Sequence, residues 1–160
     1  MIRTVERRDI PACAALIRRS FMTVADEFGL TEANAPRFTA FSTTPERLCY
    51  HLDVERRPMF VWEEDGALCG YYSLLVLPDG ECELNNLAVP PEYRHAGIGG
   101  KLFEHACDTA RALGCHTMNI GIVEENAVLR AWYERHGAIH TGTKKYDFFP
   151  FTCGTLEKAL

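Results

Sequence analysis

Apolar and polar positions follow two different periods along the chain, and each change of period marks an element. Residues 2–5 read as a short strand. Asp9 then caps a helix whose early Pro11 is tolerated, because first-turn N–H groups lack partners anyway. Ala14, Leu16, Ile17 and Phe21 carry that helix forward. Residues 29–44 hold neither period and read as irregular. Thr44-Pro45-Glu46 opens a second helix with Leu48, Cys49 and Leu52 on its apolar side, and Pro58 ends it. Residues 59–63 and 67–77 are strand-like, and Asp65-Gly66 between them is a hairpin turn. Pro78-Asp79-Gly80 is a second turn, and residues 81–89 continue the meander. Apolar residues at 98, 102, 103, 106, 107, 110 and 113 then repeat at helical spacing until Gly114. Residues 116–123 form a strand, 126–136 a helix stopped by Gly137, and 138–146 and 152–158 two further strands. The strand-helix-strand unit at 81–123 predicts a right-handed parallel crossover within a mixed α/β fold.

Length and composition narrow the class. A chain of 160 residues reads as a single domain, 1–160, large enough to bury a core without a disulfide or metal staple. Apolar residues make up 47% and charged residues 24%, as in a globular protein. The net charge of -5 is shared, with -3 on residues 1–80 and -2 on 81–160. Neither half is basic, which disfavours a nucleic-acid partner. The longest apolar stretch, near 71–77, is far short of the ~18 residues of a membrane span, and no apolar run follows the charged N-terminus as a signal peptide would require. Seven cysteines at 13, 49, 69, 82, 107, 115 and 153 are odd in number and irregularly spaced. They fit free, mostly buried thiols in a reducing cytoplasm better than a disulfide framework. No His, Cys or carboxylate set has metal-ligand spacing, since Gly137 breaks the helix between His136 and His140.

The sharpest local feature is Arg94-His95-Ala96-Gly97-Ile98-Gly99-Gly100, which joins a strand to a helix. Glycines there let backbone N–H groups approach a ligand closely, and a helix N-terminus adds positive potential, so the loop suits a diphosphate. It matches neither the dinucleotide fingerprint nor the P-loop, because Leu102 follows Lys101 where Ser or Thr is needed.

Arg94-x-x-Gly97-x-Gly99 after Leu87-Ala88-Val89 resembles the acyl-CoA signature of the GNAT N-acetyltransferase superfamily. The stretch from Asn126 through Ala131-Trp132-Tyr133-Glu134-Arg135-His136-Gly137-Ala138 resembles that family's second motif, at the family's separation and in its order. The resemblance implies a mixed sheet of about seven strands with about four helices, whose fourth and fifth strands splay to admit the pantetheine arm. It implies acetyl-CoA as donor, with the backbone of Leu87, Ala88 and Val89 against the pantetheine and the thioester carbonyl. His95, Ala96, Gly97, Ile98, Gly99 and Gly100 would hold the diphosphate, with Arg94 on phosphate and Asn126 reaching the cofactor. Asn126 also suits a plain helix cap.

Acetyl transfer to an amine needs a base for the nucleophile and a proton donor for the leaving thiolate. Glu83 lies eleven residues before Arg94, where several family members place their base, and Glu81 shares its strand face. Tyr133 stands where the family's tyrosine meets the thioester sulfur. The expected activity is direct transfer to a small-molecule or peptide amine. The alternatives are an acyl-CoA-binding module without turnover, or an enzyme acetylating charged tRNA, which the net charge disfavours. The acceptor is not legible in residues 20–45 or in the tail from Thr141. Monomer and homodimer are both open, with Phe148-Phe149-Pro150-Phe151 apolar enough for an interface or for packing under the sheet.

Overall fold

The computed structural model describes all 160 residues. Seven strands form one sheet: β1 (Ile2–Thr4), β2 (Met59–Glu64), β3 (Ala67–Val76), β4 (Glu81–Ala88), β5 (Thr117–Val123), β6 (Ile139–Lys145) and β7 (Thr152–Ala159). Their spatial order is β1-β2-β3-β4-β5-β7-β6. All neighbours are antiparallel except β4 and β5, the predicted parallel crossover. The helices are α1 (Ile10–Phe28), α2 (Thr39–Ser42), α3 (Pro45–Asp53), α4 (Ile98–Ala112) and α5 (Ala127–Arg135). The one-turn α2 lies in the segment expected to be irregular, so five helices replace the expected four. Asp9 also departs from its expected role. Its carboxylate accepts the Glu6 N–H and the Arg3 guanidinium rather than capping α1 directly.

Strand alternation sends side chains to two separate cores. One face carries Tyr72, Leu74, Cys82, Leu84, Met118, Ile120 and Leu156 against Leu102, Phe103 and Ala106 of α4. The other carries Val61, Tyr71 and Ala88 against Ile10, Leu16 and Ile17 of α1 and Leu48 of α3. Each fully buried Leu, Ile or Met contributes ~1.5–3 kcal/mol. Gly70 has no side chain because α4 packs there, and a Cβ would stand 2.6 Å from Leu102. A third, smaller cluster joins the end of α1 to Phe38 and Phe151. The aromatic run of the tail therefore packs under the sheet at Phe151, while Phe148 is exposed.

Two features of β4 open the sheet near its middle. Its pairing with β5 covers only Glu81–Leu84 against residues 117–120, although both strands continue. They diverge beyond that point, as the resemblance implies. The register with β3 also slips between Asn85 and Ala88, where Asn86 takes φ 55°. Asparagine tolerates this left-handed conformation better than most residues. The resulting bulge inverts the side-chain phase. Leu84 and Leu87 then pack against the α4 core, and Ala88 joins the α1 core.

Candidate active site

Residues 94–100 leave the splayed end of β4 and open α4. His95 and Gly97 both adopt positive φ, at 64° and 79°, which turns successive N–H groups toward one side. Gly97 is needed for that conformation, since L side chains are strained there. No backbone or side-chain acceptor in the protein takes an N–H of residues 95–100. A run of free donors at the start of a fifteen-residue helix is an anion cradle of the size of a diphosphate. The sequence did not reveal where the side chains around it point. A Cβ on Gly99 would face Trp132 at 3.5 Å, and one on Gly100 would face His136 at 3.3 Å. These two glycines admit α5 beside α4 rather than shaping the open side of the loop.

Arg94 has internal partners. Its guanidinium donates to the carbonyls of Val89 (2.8 Å) and Ser20 (3.0 Å) and to Thr23 Oγ1 (3.2 Å). It ties the end of β4 to α1, and a phosphate contact would require some of those bonds to break. The Val89 carbonyl is thereby engaged, whereas its N–H has no partner. Asn126 caps α5, with Oδ1 accepting the Leu129 N–H at 3.2 Å. Its Nδ2 makes no bond within the protein and is not a buried orphan.

Tyr133 is 6% exposed, with Phe103 and Trp132 edge-on to its ring at 5.6 and 5.0 Å. Its hydroxyl has no hydrogen-bond partner, and burial pushes its pKa well above the ordinary tyrosine value. The group therefore stays protonated and is free to donate. Trp132 packs against the same core.

Glu83 and Glu81 differ in their surroundings, although alternation places them on one face. Asn119 donates to Glu81 Oε1 at 3.4 Å, while the Glu83 carboxylate has no partner. Glu83 opens into a cleft of about 360 Å³ with Asn119, Gly121, Thr141, Thr155 and Glu157. This cleft lies on the sheet face that α1 and α3 leave uncovered beside β5 and β7.

Farther along the same face, Asn85 and Asn86 line a second pocket with Arg37, Arg47, Arg57 and His51. Sequence reasoning passed over these residues, because the helix, loop and strand that supply them are separated along the chain. His51 is 6% exposed with Nδ1 unpartnered, and burial followed by the charge of Arg57 lowers its pKa. Trp62, Tyr71, Tyr72 and Phe41 take structural roles, in strands or against the cores. Burial pushes the Cys82 and Cys107 thiols up, so neither offers a ready thiolate. His136 and His140 are bonded to the Trp132 carbonyl and to Glu124, and no three His, Cys, Asp or Glu side chains are grouped to hold a metal. No helix is long and apolar enough to cross a membrane.

A diverging parallel strand pair, closed by a helix that presents a row of free N–H groups, offers a slot for an extended ligand arm that ends in an anion cradle. The chain belongs to the acetyltransferase (GNAT) family, which it matches over residues 27–138. It is an acetyl-CoA-dependent N-acetyltransferase. It is 27% identical to the [ribosomal protein bS18]-alanine N-acetyltransferase of Escherichia coli (strain K12), covering 76% of this chain and 93% of that one. A 68-residue stretch is 41% identical to the amino-acid acetyltransferase of Pseudomonas syringae pv. syringae, covering 42% of this chain and 16% of the relative. The fold matches the crystal structure of paia N-acetyltransferase from Thermoplasma acidophilum in complex with coenzyme A, with a TM-score of 0.84 and 18% identity over 100% of this chain and 98% of that one.

Proposed function

We propose that residues 1–160 act as one catalytic domain that transfers the acetyl group of acetyl-CoA directly to a primary amine, with Glu83 as general base and Tyr133 as the acid group that donates a hydrogen bond to the thioester sulfur. The observation that carries this reading is the combination of an unpartnered carboxylate and an unpartnered, protonated phenol in a fold whose cofactor loop has its N–H groups free. The N–H groups of residues 95–100 hold the diphosphate, and Asn126 Nδ2, which has no partner within the protein, adds a donor. The diverging ends of β4 and β5 take the pantetheine arm, with the backbone of Leu87 and the free Val89 N–H beside it. The N–H of Ala88 or Val89 polarises the thioester carbonyl.

Glu83 removes the proton that keeps an amine of pKa ~8–10 from attacking at neutral pH, directly or through a water in the cleft. The new C–N bond forms as the C–S bond breaks, and the departing sulfur carries the electron pair. Tyr133 donates a hydrogen bond to that sulfur. Full proton transfer from a phenol with a raised pKa to a thiolate of pKa ~8.5 is uphill, so its main contribution is stabilisation of the developing charge.

Tyr133→Phe tests this assignment, since it deletes the hydroxyl and keeps the ring. It lowers kcat by ~10–10³ and leaves acetyl-CoA affinity and melting temperature nearly unchanged. A large loss of stability would make the hydroxyl structural instead, and unchanged turnover would remove it from the reaction.

A further inference from the structure

The second pocket on the Glu83 face has a composition that the transfer chemistry does not require. It has a volume of about 210 Å³ and sits between α3, the segment before it and the bulge of β4. Arg37, Arg47 and Arg57 converge on it, and no carboxylate lines it. Arg57 is balanced by two hydrogen bonds to Glu55, at 3.0 and 2.9 Å. Arg37 lies over the Phe148 ring at 4.3 Å and has no anionic partner. Arg47 makes no ion pair or side-chain hydrogen bond at all.

Two buried polar atoms in the same lining are also unpartnered: His51 Nδ1 on α3 and Asn85 Nδ2 on β4. Buried donors and acceptors in folded proteins nearly always find partners. These atoms, the free arginines and the hydroxyl-bearing turn around α2 form a donor-rich site with no anion supplied by the protein.

We propose that this pocket holds an oxyanion of the acceptor, so that the preferred substrate is a small amine carrying a carboxylate or phosphonate a few bonds from its nitrogen. The inference rests on the acetyltransferase reading of the adjacent cleft. Asn85 and Glu83 lie on one face of β4 two residues apart, ~7 Å along the strand. That separation lets one small molecule place its amine at Glu83 and its anion at Arg47, His51 and Asn85. A peptide N-terminus presents a neutral amide where a free amino acid has its carboxylate, and leaves the arginines unmatched.

Two measurements on the full chain test this. In the first, coenzyme A saturates the cofactor loop, and inorganic phosphate is then titrated while melting temperature is followed. The wild-type protein is stabilised, and Arg47→Met, which keeps the alkyl stem at an exposed position, weakens phosphate binding at least ~10-fold without changing coenzyme A affinity. In the second, thiol release is compared for the α-amino acids and their aminophosphonate analogues, their carboxamides, and a peptide with an N-terminal alanine. The anionic amines exceed their neutral counterparts in kcat/KM by at least ~30-fold, and Arg47→Met removes most of that ratio by raising KM. The better of the carboxylate and phosphonate series identifies the anion. Equal phosphate binding by wild type and Arg47→Met overturns the proposal, as does equal or faster turnover of the carboxamides or the peptide. Arg47-dependent phosphate binding with no turnover of any amine would uphold the pocket and overturn the transfer reading instead.

Discussion

At the residue scale, the proposed chemistry depends on what Glu83 and Tyr133 do not touch. Neighbouring Glu81 is bonded to Asn119, so alternation along β4 supplies two carboxylates of which one is free. The effect of Glu83→Gln depends on pH. The base is needed because the acceptor amine is protonated at neutral pH, and that need fades as pH rises through the amine pKa. Turnover of Glu83→Gln therefore falls by ~10²–10⁴ near pH 7, and the deficit narrows as pH is raised. Initial rates across pH 6.5–10 check this, and a deficit constant with pH would make Glu83 a group that positions the acceptor. The family resemblance singled out both residues, but not their surroundings. That Tyr133 would have an unpartnered hydroxyl within an aromatic cage depends on Phe103, thirty positions earlier on another helix.

At the scale of elements, periodicity located the strands, α1 and α3–α5 because their apolar faces are regular. It could not locate α2, a single turn held by Phe38 and Ala40 in a tertiary cluster. Nor could it locate the bulge: Asn85-Asn86 reads as two polar strand residues until the register with β3 shows one of them at positive φ. The second pocket was missed for the same reason, since its arginines gather only when α3 folds onto that bulge. The loop at 94–100 was legible, yet the direction of its side chains was not. Gly99 faces Trp132, so a substitution there disturbs α4–α5 packing and tests the cofactor only indirectly. Ala96 is exposed and is not among the strained loop positions. Ala96→Asp places a carboxylate beside the free N–H groups and opposes the diphosphate. It weakens acetyl-CoA binding ~5–50-fold by titration calorimetry and leaves the apo melting temperature within a degree or two. Unchanged affinity would place the diphosphate elsewhere.

At the scale of the whole molecule, one sheet organises every part of the site. The parallel crossover supplies the anion-cradling loop and the splay, while α1 and α3 cover one end of the opposite face and leave the rest open beside Glu83. The burial that makes the cores also raises the thiols within them that it most encloses: Cys13 is pushed up to about 12, and Cys82 and Cys107 are raised as well. The proposed route is direct transfer without a thiol-bound acetyl group, in which donor and acceptor meet in one complex. Initial rates of thiol release, measured over a grid of acetyl-CoA and acceptor concentrations, test this directly. Double-reciprocal lines that intersect are the predicted result, since both substrates must be bound before transfer. Parallel lines, together with an acetylated protein isolated in the absence of acceptor, would contradict the account.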